Sequence, residues 1–331
     1  MSEVTNIPNK SLDSLILRLK DIQDDFFKHF GVTDIISNSK IFEIVIANDL
    51  GHILIPGHSG SRDAKNENGG EFEYKHYKES SSNHTWTFND FTDTTIVKLA
   101  SIESVIFAHI DDSDLFPKFD WYYNVPGKLI SKYLEEKTKA IKNHRKMINV
   151  GSKQIEENFH LQKTFNSYDC KCGNYYNWLN EICNIAKKIE EITGTKEVLT
   201  SNKFWEILVA LILNHRALSE QLGHDAVDDQ GRFYEYKVSK SNSWNFQDIS
   251  DKVLDKYKND YKIILAVVDK DEFKIKKIYE VNSLLTIKKL KKKLSDKKAK
   301  YKQMGKVLRR LQISLSMGDL KELKTKQIYP L

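Results

Sequence analysis

Cysteine is scarce. The 331 residues hold three, Cys170, Cys172 and Cys183, too few and too clustered for a disulfide framework. Zinc sites use Cys-x2-Cys spacing and four ligands. The D-C-K-C-G run offers a tighter pair, with only Cys183 and His160 in its vicinity, so no zinc is expected there. No apolar run is long enough to span a membrane. The opening M-S-E-V-T-N-I-P-N-K lacks an apolar h-region, so a secretory signal is not expected and the cytoplasm is the expected location. His52, His58, His215 and His224 lack the i,i+4 spacing of a ligand pair, which argues against a histidine metal site. What is present is ordinary for a soluble chain: 40% hydrophobic and 30% charged residues, in a length sufficient for two cores. The net charge of +6 suits a polyanionic partner.

One stretch carries the chemistry. Asp225 to Lys237 reads D-A-V-D-D-Q-G-R-F-Y-E-Y-K. Asp-Asp-Gln-Gly reads as a hairpin turn, and Arg232 to Val238 as the returning strand. Side chains alternate along a strand, so Glu235 and Lys237 share a face. Asp225 reaches the same spot across the hairpin. Two carboxylates beside one lysine can hold a divalent metal against a phosphate and position a water.

The stretch occurs twice. Asp63 to Lys75 reads D-A-K-N-E-N-G-G-E-F-E-Y-K, and Asp63, Glu73 and Lys75 match Asp225, Glu235 and Lys237 with no gap. Asn68-Gly69 is a favoured hairpin pair. The match extends upstream, where K-I-F-E-I-V-I-A (Lys40 to Ala47) parallels K-F-W-E-I-L-V-A (Lys203 to Ala210). It extends downstream through W-T-F-N-D and W-N-F-Q-D, and through Val105 to Asp111 and Ile263 to Asp269. The unit is too long for a solenoid repeat; it is a duplicated domain.

A helix with an internal Glu, an Asp, a hairpin, Glu-x-Lys and then an apolar strand resembles the PD-(D/E)xK nuclease superfamily. Within it, the V-S-K-S-N-S-W-N-F run after Lys237 looks most like type II restriction endonucleases. The superfamily pattern places Pro before the Asp, whereas Arg62 and His224 stand there in this chain. The resemblance implies an α/β fold of two duplicated restriction-endonuclease-like domains, arranged as a pseudo-dimer. Each would be a central mixed β-sheet flanked by helices. It also implies Mg²⁺, with Mn²⁺ able to substitute, held by Asp63 and Glu73 in one copy and by Asp225 and Glu235 in the other. Lys75 and Lys237 would orient or activate the attacking water.

Other features fill out the two copies. Residues 10–30 and 175–193 read as amphipathic helices stopped by Gly31 and Gly194. A second helix follows in each, with Ser37-Asn-Ser39 and Ser201-Asn202 as caps. Its Glu43 or Glu206 is either an accessory metal ligand or a carboxylate favoured by the helix dipole. Of the segments between helix and hairpin, residues 52–62 read as turns and 214–224 as more helical. After the hairpin, Ser80 and Asn83 in one copy, and Lys240, Ser241, Asn242 and Ser243 in the other, are expected to grip DNA. Trp86 and Trp244 are expected in the core. The next strand is apolar on both faces, as in the middle of a covered sheet. The segment from Lys270 to Tyr279 alternates like an edge strand. Lys128 to Met147 and Thr286 to Leu311 read as Lys-rich helices; the second either contacts phosphates or presents a solvated face. The expected boundaries are 8–147 for the first repeat, 148–172 for a connector, 173–311 for the second repeat and 312–331 for a tail.

The function implied is sequence-specific cleavage of double-stranded DNA by a monomer with one site per strand. A structure-specific repair or recombination nuclease, and a DNA-binding protein with only the second-repeat site active, are the alternatives.

Overall fold

The computed structural model describes residues 9–56, 62–139, 141, 146–166, 174–219, 223–305, 308 and 311–330. Among them, the elements of the two repeats follow in the same order. Each repeat opens on a long helix, α1 (Asn9–Phe30) or α6 (Asn174–Thr193). Both end as expected, at Gly31 and Gly194, which take φ of +62° and +68°. There the glycine N–H donates to the carbonyl four residues back. A shorter helix follows, α2 (Lys40–Asp49) or α7 (Lys203–Ile212). The caps differ from expectation: Ser39 and Asn202 stand at the N-cap without a side-chain bond to the helix. Ser201 does supply one, its hydroxyl accepting from Lys203 N at 3.1 Å. Helix α7 is buried over Phe204, Trp205 and Ile207 to Ala210, as its apolar surround requires.

Two six-stranded mixed sheets carry the repeats. The first runs β1 (Ile53–Leu54), β2 (Ala64–Lys65), β3 (Glu71–Lys78), β5 (Ser104–Asp111), β6 (Lys118–Pro126), β8 (Thr164–Phe165). The second runs β9 (Arg216–Ala217), β10 (Ala226–Val227), β11 (Phe233–Ser239), β13 (Lys262–Asp269), β14 (Lys274–Asn282), β16 (Lys326–Tyr329). In each, the hairpin's returning strand pairs parallel with the apolar strand, β3 with β5 and β11 with β13. The other pairings are antiparallel. Strands β5 and β13 are buried almost throughout, as their two-faced apolarity demands.

Two expectations are overturned here. The described residues of this range, 214–219, 223 and 224, are not helical: Arg216 and Ala217 pair with Val227 and Ala226 as strand β9. The local helix propensity at Arg216 and Ala217 yields to the ladder available beside the hairpin. Strand β14 is not an edge, because β16 pairs along it.

Both repeats also carry a two-stranded ribbon, β4 (Trp86–Phe91) with β7 (Lys146–Val150), and β12 (Ser243–Phe246) with β15 (Ile313–Ser316). Residues 148–172 and 312–331, expected as connector and tail, therefore hold strands that pair back into the repeats, together with α5 (Ser152–Phe159) and α10 (Met317–Leu320). After each ribbon strand comes α3 (Asp93–Ser101) or α8 (Asp251–Tyr257), capped by the hydroxyl of Thr92 or Ser250. The Lys-rich helices are α4 (Gly127–Lys139) and α9 (Ser283–Gln303), both shorter than expected.

Trp86 and Trp244 are fully buried in the two cores. Each indole N–H donates to a carbonyl of the central strand, Ala108 O at 2.8 Å and Ala266 O at 2.9 Å. That bond ties ribbon to sheet at the same place twice, because a buried indole N–H needs an acceptor. The chain divides into two compact units, Met1–Gln23 with Ile36–Asn38 and Ile185–Leu331, and Asp24–Ile35 with Ser39–Asn184. No described helix is long and apolar enough to cross a membrane.

Candidate active sites

The hairpin builds each site. Its loop has three residues rather than the two expected from Asn68-Gly69: Asn66 N donates to Gly70 O, and Gly69 N to Asn66 O. Asp228, Gly231 and Arg232 make the same pair of bonds. Gly69 and Gly231 take φ of +82° and +75°, a conformation that glycine adopts without a Cβ clash. The side chain of Asn66 or Asp228 accepts two backbone N–H groups across the turn. This fixes the register, and with it the faces of the strand.

Four expected residues converge in the first repeat. Asp63, just before β2, accepts from Tyr74 N through Oδ2 at 2.7 Å. Glu73 and Lys75 share a face of β3 and are ion-paired. Glu43, on α2, is turned toward them; the Asp63 and Lys75 charges both act on it. In the second repeat Asp225 accepts from Tyr236 N at 2.7 Å, Glu235 pairs with Lys237, and Glu206 joins from α7. Glu43 and Glu206 thus lie within electrostatic reach of the hairpin charges.

One member of each cluster was not anticipated. Lys40 pairs with Glu43 and lies 3.7 Å from Asp63 Oδ1. Lys203 pairs with Glu206 at 2.6 Å and lies 3.9 Å from Asp225 Oδ1. Both are buried. The signal was in the repeat, K-I-F-E against K-F-W-E: a lysine at a helix start opposes the dipole, so its presence in both copies asks for an anionic partner.

Burial sets the electrostatics. It pushes Glu43 and Glu235 up to about 7, with the Asp63 and Asp225 charges adding to the rise. Glu73 and Glu206 are raised for the same reason. For Lys75 and Lys237 burial works downward, but the paired Glu73 and Glu235 carboxylates outweigh it and hold both above the ordinary lysine value. Both are therefore ammonium groups, donors rather than bases, at neutral pH. Behind each site a histidine contacts a buried tyrosine: His52 Nδ1 to Tyr74 Oη at 2.8 Å, and His215 Nδ1 to Tyr236 Oη at 2.7 Å.

The donor set is oxygen only, which suits a hard cation such as Mg²⁺. Glu73 Oε2 is buried with no hydrogen-bond partner, an acceptor without a donor. Among the described residues no three carboxylate, imidazole or thiolate groups form a ready metal cage. Magnesium sites are commonly made of one or two carboxylates completed by water and substrate phosphate, so this set fits.

The expected DNA-gripping residues lie apart from the carboxylates, beyond the ends of β3 and β11. Ser80 donates to Asp112 Oδ2 at 2.5 Å, and Asn83 accepts from Thr85. Lys240, Ser241, Asn242 and Ser243 are exposed. Cys170, Cys172 and His58 lie outside the described residues, and Cys183 is buried, which pushes its thiol up to about 12. No protein-family model matches the chain, and no curated protein matches it.

Proposed function

We propose that the chain is a Mg²⁺-dependent DNA endonuclease of the restriction type, each repeat a restriction-endonuclease-like domain whose site cuts one strand. The observation that carries this reading is the cluster itself, built twice from the same five residues: Lys40, Glu43, Asp63, Glu73 and Lys75, and Lys203, Glu206, Asp225, Glu235 and Lys237. Structural ion pairs are common once. An identical set of buried, mutually strained carboxylates in both repeats is the arrangement expected where charge is used.

Asp63 and Glu73, with Glu43 beside them, would hold the cation in the first site; Asp225, Glu235 and Glu206 would do so in the second. Bound there, Mg²⁺ supplies positive charge to the scissile phosphate and acidity to a water. The ammonium of Lys75 or Lys237 donates hydrogen bonds to the attacking water or to the phosphate oxygen on which charge develops. Lys40 and Lys203 keep the carboxylates together and partly neutralised. The polar runs after each hairpin contact the DNA backbone, and their differences between repeats let the two half-sites differ.

The test is digestion of a defined plasmid with Mg²⁺, followed by sequencing of the ends. Discrete fragments with constant termini are expected. Cleavage that survives EDTA, or cuts only at junctions and mismatches, refutes the metal mechanism or the sequence-specific reading respectively.

A further inference from the structure

A cavity of about 430 Å³ opens beside the second site, where β11 and β13 begin and β14 gives way to α9. This volume falls within the range of ligand pockets, about 300–1,000 Å³. Its lining includes Asp260 and Ser283, which are 4% and 3% exposed. Asp260 Oδ1 accepts from His224 Nδ1 at 2.6 Å, but Asp260 Oδ2 and Ser283 Oγ are buried with no hydrogen-bond partner. Leaving such groups unmade is unfavourable, so a ligand that donates to them gains the difference.

The lining also includes two aromatic rings, Phe233 and Tyr261, 40% and 47% exposed. Arg232 covers Tyr261 at 4.4 Å, and the His224 ring stacks on Phe233 at 4.5 Å. The cations at the cavity are already paired, Arg232 with Asp228 and Lys258 with Asp255. A free phosphate would therefore meet a buried carboxylate and no spare cation. A flat, neutral ligand with a donor edge meets aromatic walls, with the two unpartnered oxygens buried in the lining.

We propose that this cavity receives an unstacked nucleobase bearing an exocyclic amino group, that is adenine, cytosine or guanine. Its amino group would donate to Asp260 Oδ2, with Ser283 Oγ completing the edge. Thymine fits worse, because its one edge N–H is flanked by two carbonyl oxygens that would face the carboxylate. Phe233 stands two residues before Glu235 on β11, about 7 Å along the strand, within reach of a nucleotide flanking the cut. The source of the base rests on the nuclease reading; the chemistry of the cavity does not.

The first repeat is built differently at this place. Glu103 N donates to Glu71 O as Tyr261 N does to Phe233 O, so Glu103 occupies the position of Tyr261. Its carboxylate accepts from Asn66 Nδ2 at 3.1 Å and lies where a side chain on Gly70 would fall. Gly70 is the counterpart of Arg232 in the turn. An acid replaces the aromatic ring there, so the base-binding role belongs to the second repeat alone.

Titration of the full-length protein in EDTA with dCMP and dTMP, followed by saturation-transfer NMR, tests this directly. Tighter binding of dCMP than dTMP is expected, by about tenfold for one unmade hydrogen bond to a charged group. Asp260→Asn should erase most of that preference and Ser283→Ala should weaken dCMP binding, with circular dichroism confirming the fold. If Asp260→Asn does not fold, the dCMP affinity of Ser283→Ala and the wild-type preference decide alone. Equal binding of the two nucleotides, no binding at millimolar concentration, or a dCMP affinity unchanged in Ser283→Ala overturns the proposal. A protein that leaves plasmid uncut yet prefers dCMP would refute the nuclease reading and retain the pocket. One that cuts plasmid without the preference would do the reverse.

Discussion

The buried carboxylates make a prediction that needs no nucleic acid. Glu43 and Glu235 sit near 7 because they are buried, against 4.5 as the ordinary value. Below pH 4.5 the folded and unfolded chains both carry the proton, and these groups do not weaken the fold. Between 4.5 and 7 the unfolded chain releases the proton while the folded chain keeps it, so stability falls as pH rises. Above 7 the full difference applies, on the order of 3 kcal/mol per carboxyl. Glutamine does not titrate. The stability of Glu43→Gln or Glu235→Gln relative to wild type should therefore rise by that amount between pH 4.5 and 8. For units of this size the gain corresponds to roughly 6–12 °C in Tm. Thermal melts followed by circular dichroism in EDTA, at pH steps across this window, measure it. Added Mg²⁺ should stabilise the wild type more at pH 8 than at pH 5, because protons compete for the same oxygens. Melting curves of wild type and both variants that run parallel across the window would refute the burial argument.

Other outcomes follow from the same clusters. Asp63→Ala alone and Asp225→Ala alone should each give nicked circles, on opposite strands, and the double variant should bind DNA without cutting. Loss of all cleavage in one single variant, with double-strand breaks retained in the other, would mean that one repeat alone is catalytic, and the second is favoured. Lys203→Met strands Glu206 and Asp225 without their buried cation, which should cost about 3–5 kcal/mol in urea unfolding; an unchanged midpoint would show that the pair is immaterial. On α9, Lys289, Lys293 and Lys297 fasten the segment that follows, through Asp319, Glu322 and the Gln312 carbonyl. Lys288, Lys292, Lys298 and Lys302 are exposed. Replacing these four by Gln should flatten the dependence of DNA affinity on salt while leaving Tm alone, whereas Lys293→Ala should lower Tm. An unchanged salt slope would mark the exposed lysines as a solvated face.

The sequence made the chemistry more legible than the architecture. Asp63, Glu73 and Lys75, with their partners in the second copy, could be read because a hairpin has period two and the motif recurs. Glu43 and Glu206 could be read only as alternatives, since position within a helix does not say which way the helix is aimed. Lys40 and Lys203 escaped because their partners are brought in by tertiary packing. The short strands β7, β8, β15 and β16 span two to five residues, too few for a period to declare itself. Arg216 and Ala217 are hard to read for a related reason: two residues of ladder outweigh local helix propensity when a partner strand stands ready.

Both six-stranded sheets finish on very short strands, two residues at β1, β8 and β9, and four at β16. A brief edge gives a passing strand little to grip, and β16 adds a lysine at its start. Behind it lies β14, nine residues carrying Ile278, Tyr279 and Val281. Without Lys326 to Tyr329, the backbone groups of β14 that now pair with β16 would become a template for strands of other molecules. Strand β16 thus guards against side-by-side aggregation. Deleting Lys326 to Tyr329 would betray itself first in light scattering, before any effect on Asp225, Glu235 and Lys237.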